Sequence, residues 1–150
     1  MDMIKNFIEP THESGAAFFS RNIAGKVVML NLLRFRDVAD YSANPELAPG
    51  EQITGREAYQ KYIDHTIHFL RKSGGDVLIL GEGGKYLIGP QEEQWDLVML
   101  VRQNSLADFM AFASNQEYLS GIGQRTAALQ GSRLLPIVEY KENNITMSWD

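Results

Sequence analysis

The sequence predicts an α+β fold: a ferredoxin-like βαββαβ unit, with a four-stranded antiparallel sheet, two helices on one face, and a second copy as partner. Three observations carry this. Four β-like runs and two helical blocks follow one another in the order strand, helix, strand, strand, helix, strand. Pro136 falls inside the last run, which that topology puts at a sheet edge, where a missing N–H is tolerated. The first and third runs, which would be central, are apolar on both faces.

The first strand is expected over Lys26 to Phe35 (KVVMLNLLRF), with Val27, Met29, Asn31, Leu33 and Phe35 pointing one way and Val28, Leu30, Leu32 and Arg34 the other. A helix should start at the capping box Thr54-Gly-Arg-Glu57 and stop at Lys72-Ser-Gly-Gly75, where a basic turn meets glycines. Ala58, Tyr59, Tyr62, Ile63, Thr66, Phe69 and Leu70 fall on one arc of it, so this helix lies on a sheet. Asp76 to Leu80 opens the second strand, with a bulge or bend expected where Gly81, Gly83 and Gly84 loosen it before Tyr86-Leu-Ile88. The third strand is Gln94 to Arg102. Ser105 caps a second helical block that runs to about Gln130, with a break at Ser114-Asn115, and the chain returns as a strand over Arg133 to Tyr140.

With 150 residues, 44% apolar and 22% charged, the chain is long enough to bury a core without metals or crosslinks. It has no cysteine, which excludes disulfides, a thiol nucleophile and Cys-ligated metals, and fits a cytoplasmic protein. A net charge of -5 with scattered Lys and Arg argues against nucleic acid. The first ten residues lack the apolar core of a signal peptide, and no run is long enough to span a membrane. A sheet with helices on one face only should alternate cleanly between apolar and polar residues, and this one does not. Its second face therefore needs a cover: the same face of another copy, with the Trp149 tail and the Ala16-Ala-Phe-Phe19 segment as rivals.

NLLRF at 31–35, AYQKY at 58–62, SGGDVLILGEG at 73–83, WDLVMLV at 95–101, EYLSGIGQRTAAL at 117–129 and SRLLPI at 132–137 occur in consistent order. Together they resemble domain-of-unknown-function family 1330, within the dimeric α/β-barrel superfamily. The likeness spans about residues 25–140, leaving 1–24 as an N-terminal extension and 141–150 as a C-terminal tail. It implies a ferredoxin-like dimer and no particular activity. Relatives in the superfamily include cofactor-independent monooxygenases, muconolactone isomerase-like enzymes, haem-dependent chlorite dismutase-like proteins and stress-induced proteins, so the fold alone does not choose a reaction.

Seven residues are candidates for a site. Asn31 is the polar side chain on its face of the first strand, and Arg34 lies on the opposite face; each needs a partner or a ligand if buried. The structural alternative is an Asn bonded to nearby backbone and an Arg paired with Asp96 or Glu82. Arg125 sits on or beside the apolar stripe of the second helical block, where it could hold a carboxylate or enolate, or snorkel to water. Gly121 and Gly123 nearby suggest a close approach by backbone or ligand. His65 or Glu82 could act as base. Tyr62 and Trp95 could line a substrate site, or be core or interface aromatics together with Tyr59.

His65 and His68 have a metal-ligand spacing, but His68 falls on the polar side of the helix and His12 is the remaining histidine. Neither a metal nor haem nor another cofactor is expected. The loop from Arg36 to Ile53, far longer than the usual crossover of about 2 to 6 residues, is read as a lid over a ligand near Asn31 and Arg125, or as an arm that clasps the partner copy. The functional expectation is a cofactor-independent enzyme, monooxygenase- or isomerase-like, acting on a small, partly apolar molecule. The alternative is a non-catalytic ligand-binding or stress-related dimer.

Overall fold

The computed structural model describes residues 6–140. Strands β1 (Val27–Phe35), β2 (Asp76–Lys85), β3 (Gln94–Gln103) and β4 (Leu129–Ile137) form one antiparallel sheet in the order β2-β3-β1-β4. That is the ferredoxin-like order, with β1 and β3 central and Pro136 on the edge strand β4. The helices are α1 (His12–Ser20), α2 (Gly55–Lys72), α3 (Leu106–Ala113), α4 (Gln116–Leu119) and α5 (Ile122–Ala128). No described helix is long and apolar enough to cross a membrane.

The capping box read at the start of α2 forms: Glu57 N–H donates to Thr54 Oγ1 and Thr54 N–H to Glu57 Oε1, each at 3.0 Å. Ala58, Tyr59, Thr66 and Leu70 are the buried stripe of this helix. Ala58 and Tyr59 meet Leu33 and Met99 of the sheet and Ala128 and Leu129 of the α5–β4 junction in the central cluster. Each large side chain buried there contributes about 1.5–3 kcal/mol.

The second helical block breaks at Ser114-Asn115 as expected, and again after Leu119, giving three short helices. Asn115 Oδ1 accepts from the N–H groups of Glu117 and Tyr118, which starts α4. The last strand begins at Leu129 rather than Arg133, because Phe35 pairs with Leu129 through a register shift at the end of β1. The second strand also runs further than expected, through the glycines to Lys85, with its bulge between Val77 and Ile79. Glycine keeps Gly83 in the ladder: a Cβ there would stand 2.4 Å from the Trp95 carbonyl oxygen.

The alternation of β1 has a direct structural meaning. Val27, Met29, Asn31 and Leu33 are buried, whereas Val28, Leu30 and Leu32 on the other face are half-buried. Their cross-strand neighbours on that second face include the half-buried Val98 and Leu100 and the exposed Leu135 and Ile137, and the exposed Ile79 of β2 pairs with Leu100 in turn. Helix α1 does not close this face, since Leu135 remains 58% exposed and the Phe18 ring of α1 meets Phe109 of α3 instead. Trp149, the other rival cover, lies outside the described residues.

The loop 36–53 lies on the molecule's own α5. Asp40 N–H donates to Ala127 O at 2.9 Å, Tyr41 hydroxyl donates to Gln124 Oε1, and Asn44 and Leu47 crowd Gly123 so closely that a Cβ would meet them at under 3 Å. Gly121 is approached in the same way by the His65 ring, 2.2 Å from where its Cβ would be. The close approach read from these two glycines is thus made by side chains of α2 and the loop.

Candidate functional site

Helix α2 presents Tyr59, Tyr62 and His65 toward α4 and α5, where they meet Tyr118 and lie near Arg125. The Tyr62 and Tyr118 hydroxyls lie 2.8 Å apart, and their rings sit in a chain of aromatic contacts that runs from Phe35 through Tyr59, Tyr62 and Tyr118 to Phe112. Two phenols that bond each other use one proton between them. The other hydroxyl proton meets no acceptor among the described residues.

Arg125 lies close enough to act on the same tyrosines electrostatically. Its Nη1 donates to the Ile8 carbonyl at 2.7 Å, and no carboxylate reaches ion-pair distance among the described residues. The Ile8 carbonyl belongs to an N-terminal segment that runs past β4, where Ser132 N–H donates to Asn6 O at 2.9 Å and Ser132 hydroxyl to Phe7 O. Phe7 holds φ 48, a left-handed value that ordinary residues rarely adopt.

Burial pushes the Tyr59 and Tyr118 hydroxyls well above the usual phenol range, reinforced by Tyr62 and opposed by the Arg125 charge. The sign of the consequence follows. The neutral phenol is favoured in the folded chain, so this contribution is intact below about pH 10 and declines as pH rises past the unfolded-state value toward the raised folded one. Each such tyrosine should remove about 1.4 kcal/mol of stability per pH unit in that window. Urea unfolding between neutral and strongly alkaline pH should show this decline, and a Tyr118→Phe protein should show a shallower one. Equal slopes would mean that Tyr118 is not buried as described.

Of the remaining candidates His65 joins this group, and the others are spread across the molecule. Asn31 is buried on the helix-facing side and donates from Nδ2 to the Met29 carbonyl at 3.1 Å, the backbone bond weighed for it. Arg34 is half-buried and forms no ion pair with Asp96 or Glu82 among the described residues; Asp96 Oδ2 instead accepts from Phe35 N–H at 2.8 Å. Glu82 is exposed on the edge strand β2. Trp95 is buried, donates to Tyr86 Oη at 2.8 Å, and lies under the Arg133 guanidinium at 5.0 Å. His65 Nε2 stands 2.9 Å from Glu117 O and 3.2 Å from Tyr118 O, two acceptors, so this nitrogen donates, and Nδ1 has no hydrogen-bond partner among the described residues.

Tyr62, His65 and Arg125 are therefore gathered around Tyr118, while Arg34, Glu82 and Trp95 stand elsewhere. Tyr118 was not a sequence candidate. Its signal is weak, an aromatic three residues after an Asn cap, because what makes it notable is its contact with Tyr62 across 56 positions of chain. No group of three His, Asp or Glu side chains that could hold a metal occurs among the described residues. A separate open depression of about 290 Å³ lies at the end of β1, lined by Phe35, Arg36, Asp37, Thr54, Arg56 and Asp96.

The most informative similarity is to solved structures. The chain is 33% identical to the methylated RPA0582 protein, over 94% of this chain and 100% of that one, with a TM-score of 0.82. It belongs to the RPA0582 family. A second structure of RPA0582, a protein of unknown function from Rhodopseudomonas palustris, aligns at 33% identity over 91% and 99% of the two chains with a TM-score of 0.80. A dimeric ferredoxin-like protein of unknown function from Jannaschia sp. CCS1 aligns at 11% identity over 77% and 100%, with a TM-score of 0.49. No family model matches the chain, and no curated protein matches it. Membership of the RPA0582 family brings the fold with it and leaves the activity to be argued from this chain's own residues.

Proposed function

We propose that the protein is a homodimer, paired through the open sheet face, that binds a small and partly apolar molecule through a carbonyl, phenolic or carboxylate oxygen beside Arg125. The observation that carries this is the state of Arg125: a half-buried guanidinium with no acid beside it, set against a pair of phenols with a proton to spare. A ligand oxygen would take the place of the Ile8 carbonyl and receive charge-assisted bonds from the guanidinium. The aromatic chain supplies the apolar wall. Assignment to domain-of-unknown-function family 1330, on the six segments quoted above, is part of this reading, as is a cytoplasmic location.

An enzymatic version has one supporting observation, the His65 Nδ1 without a hydrogen-bond partner among the described residues, on the helix that also carries Tyr62. In a monooxygenase- or isomerase-like reaction it would take a proton while Arg125 and the phenol pair hold the resulting oxyanion. Asn31, committed to backbone, and Glu82, exposed on an edge, are less suited to that work.

A thermal-shift screen of small phenols, keto acids and haem tests the reading, since a ligand of the native state must raise its stability. A phenol or keto acid should stabilise the protein, and Arg125→Gln should weaken its binding by about tenfold or more, the loss expected for one hydrogen bond to a charged group. Binding that survives Arg125→Gln unchanged would move the site elsewhere, and no stabilising ligand at all would remove the proposal.

A further inference from the structure

The depression at the end of β1 is distinct from the Arg125 site and is built by the main chain. Arg36 N–H donates to Ala128 O at 2.8 Å and Gly55 N–H donates to Arg36 O at 3.1 Å, so the end of β1, the start of α2 and the end of α5 are tied at one point. Phe35 N–H holds Asp96, and the Arg56 guanidinium lies 5.0 Å over the Phe35 ring. Four charges thus line one small depression: Arg36 and Arg56, Asp37 and Asp96.

No ion pair joins either arginine to either aspartate among the described residues. Arg36 Nε is moreover buried and meets no acceptor. A buried guanidinium N–H without a partner is costly and marks a place for one. A simple anion would be drawn by the arginines and by the N-terminal end of α2 but repelled by Asp37 and Asp96. A simple cation meets the reverse. A molecule that carries both charges a few ångströms apart satisfies both halves of the lining.

We propose that this depression binds a small zwitterion of the α-amino-acid class, its carboxylate held by Arg36 and Arg56 and its ammonium group by Asp37 and Asp96. The lining leaves the Phe35 ring covered by Arg56, so selectivity for the side chain is weak and recognition rests on the two charges.

The test is a titration of the isotopically labelled protein with the common amino acids, followed through the backbone amide resonances of residues 35–37, 54–56 and 96. At least one amino acid should give saturable shifts there, and its analogues lacking either the ammonium or the carboxylate group should bind about tenfold or more weakly, as for one lost charge-assisted contact. Asp37→Asn and Arg56→Gln alter exposed side chains and leave the fold in place. The first should abolish the preference for the amino acid over its carboxylate analogue, and the second should weaken both. A carboxylate analogue that binds the native protein as well as the amino acid does would overturn the zwitterion assignment, leaving an anion site only. No saturable shift with any amino acid would overturn the site itself.

Discussion

Replacing Gly55 with alanine should destabilise the protein by about 3 kcal/mol or more, toward the upper end of what overpacking costs. Gly55 is buried at the first position of α2, where a Cβ would stand 2.3 Å from Arg36 O, 2.6 Å from Ala128 O and 2.7 Å from Arg36 N. All three are backbone atoms, and the Arg36 carbonyl is the acceptor for Gly55 N–H itself. No rotamer change relieves such a clash. The helix start must move away from β1 and α5, opening the junction where Ala128 and Leu129 are fully buried. Against a typical domain stability of about 5–15 kcal/mol, that is a large fraction. Gly50→Ala is the control, since nothing lies within 4 Å of a Cβ there. Urea unfolding should show a much lower midpoint for Gly55→Ala than for Gly50→Ala; matching midpoints would mean that the β1–α2 junction is looser than the geometry described.

A glutamate at Leu135 should separate the proposed dimer into folded single chains. Leu135 is 58% exposed in the isolated chain, on the edge strand β4 beside Leu30 of β1, so the change costs the single chain little. In a pair of sheets packed face to face, the same position would bury an unpaired carboxylate, at a cost of roughly 3 kcal/mol per copy. Two-fold symmetry places the charge twice in one interface. Light scattering behind size exclusion should give about twice the 16.9 kDa chain mass for the native protein and the single mass for Leu135→Glu, with unchanged circular dichroism. A native protein that runs as a monomer would show that the open face is not covered by a second copy.

The order of elements from β1 onward was legible because each leaves a local signature; helix α1, which precedes them, was not read from the sequence. The alternation in Val27–Phe35, the Thr54–Glu57 box and the position of Pro136 depend on residues a few places apart, and all three stand in the structure where the pattern put them. The end of β2 and the start of β4 were misread because pairing overrode local preference. Gly81, Gly83 and Gly84 weaken a strand on their own, yet β3 holds them in the ladder, and Leu129 leaves the helical block because Phe35 offers it a partner.

For the site, the sequence could single out Arg125, Tyr62 and His65 as polar or aromatic groups near apolar stripes. It could not show that His65 spends Nε2 on two carbonyls of α4, or that Tyr118 meets Tyr62. Nor could it show four charges converging without pairing at the end of β1. By itself the sequence determined the order of strands and helices from β1 onward, the two alternating residue sets of β1, and the absence of cysteine chemistry, since periodicity and composition are properties of neighbouring residues; helix α1 and the choice of which set is buried came from the structure. Only the tertiary structure decided which side chains meet and which remain without partners, because those contacts join residues far apart in sequence and depend on distances of a few tenths of an ångström.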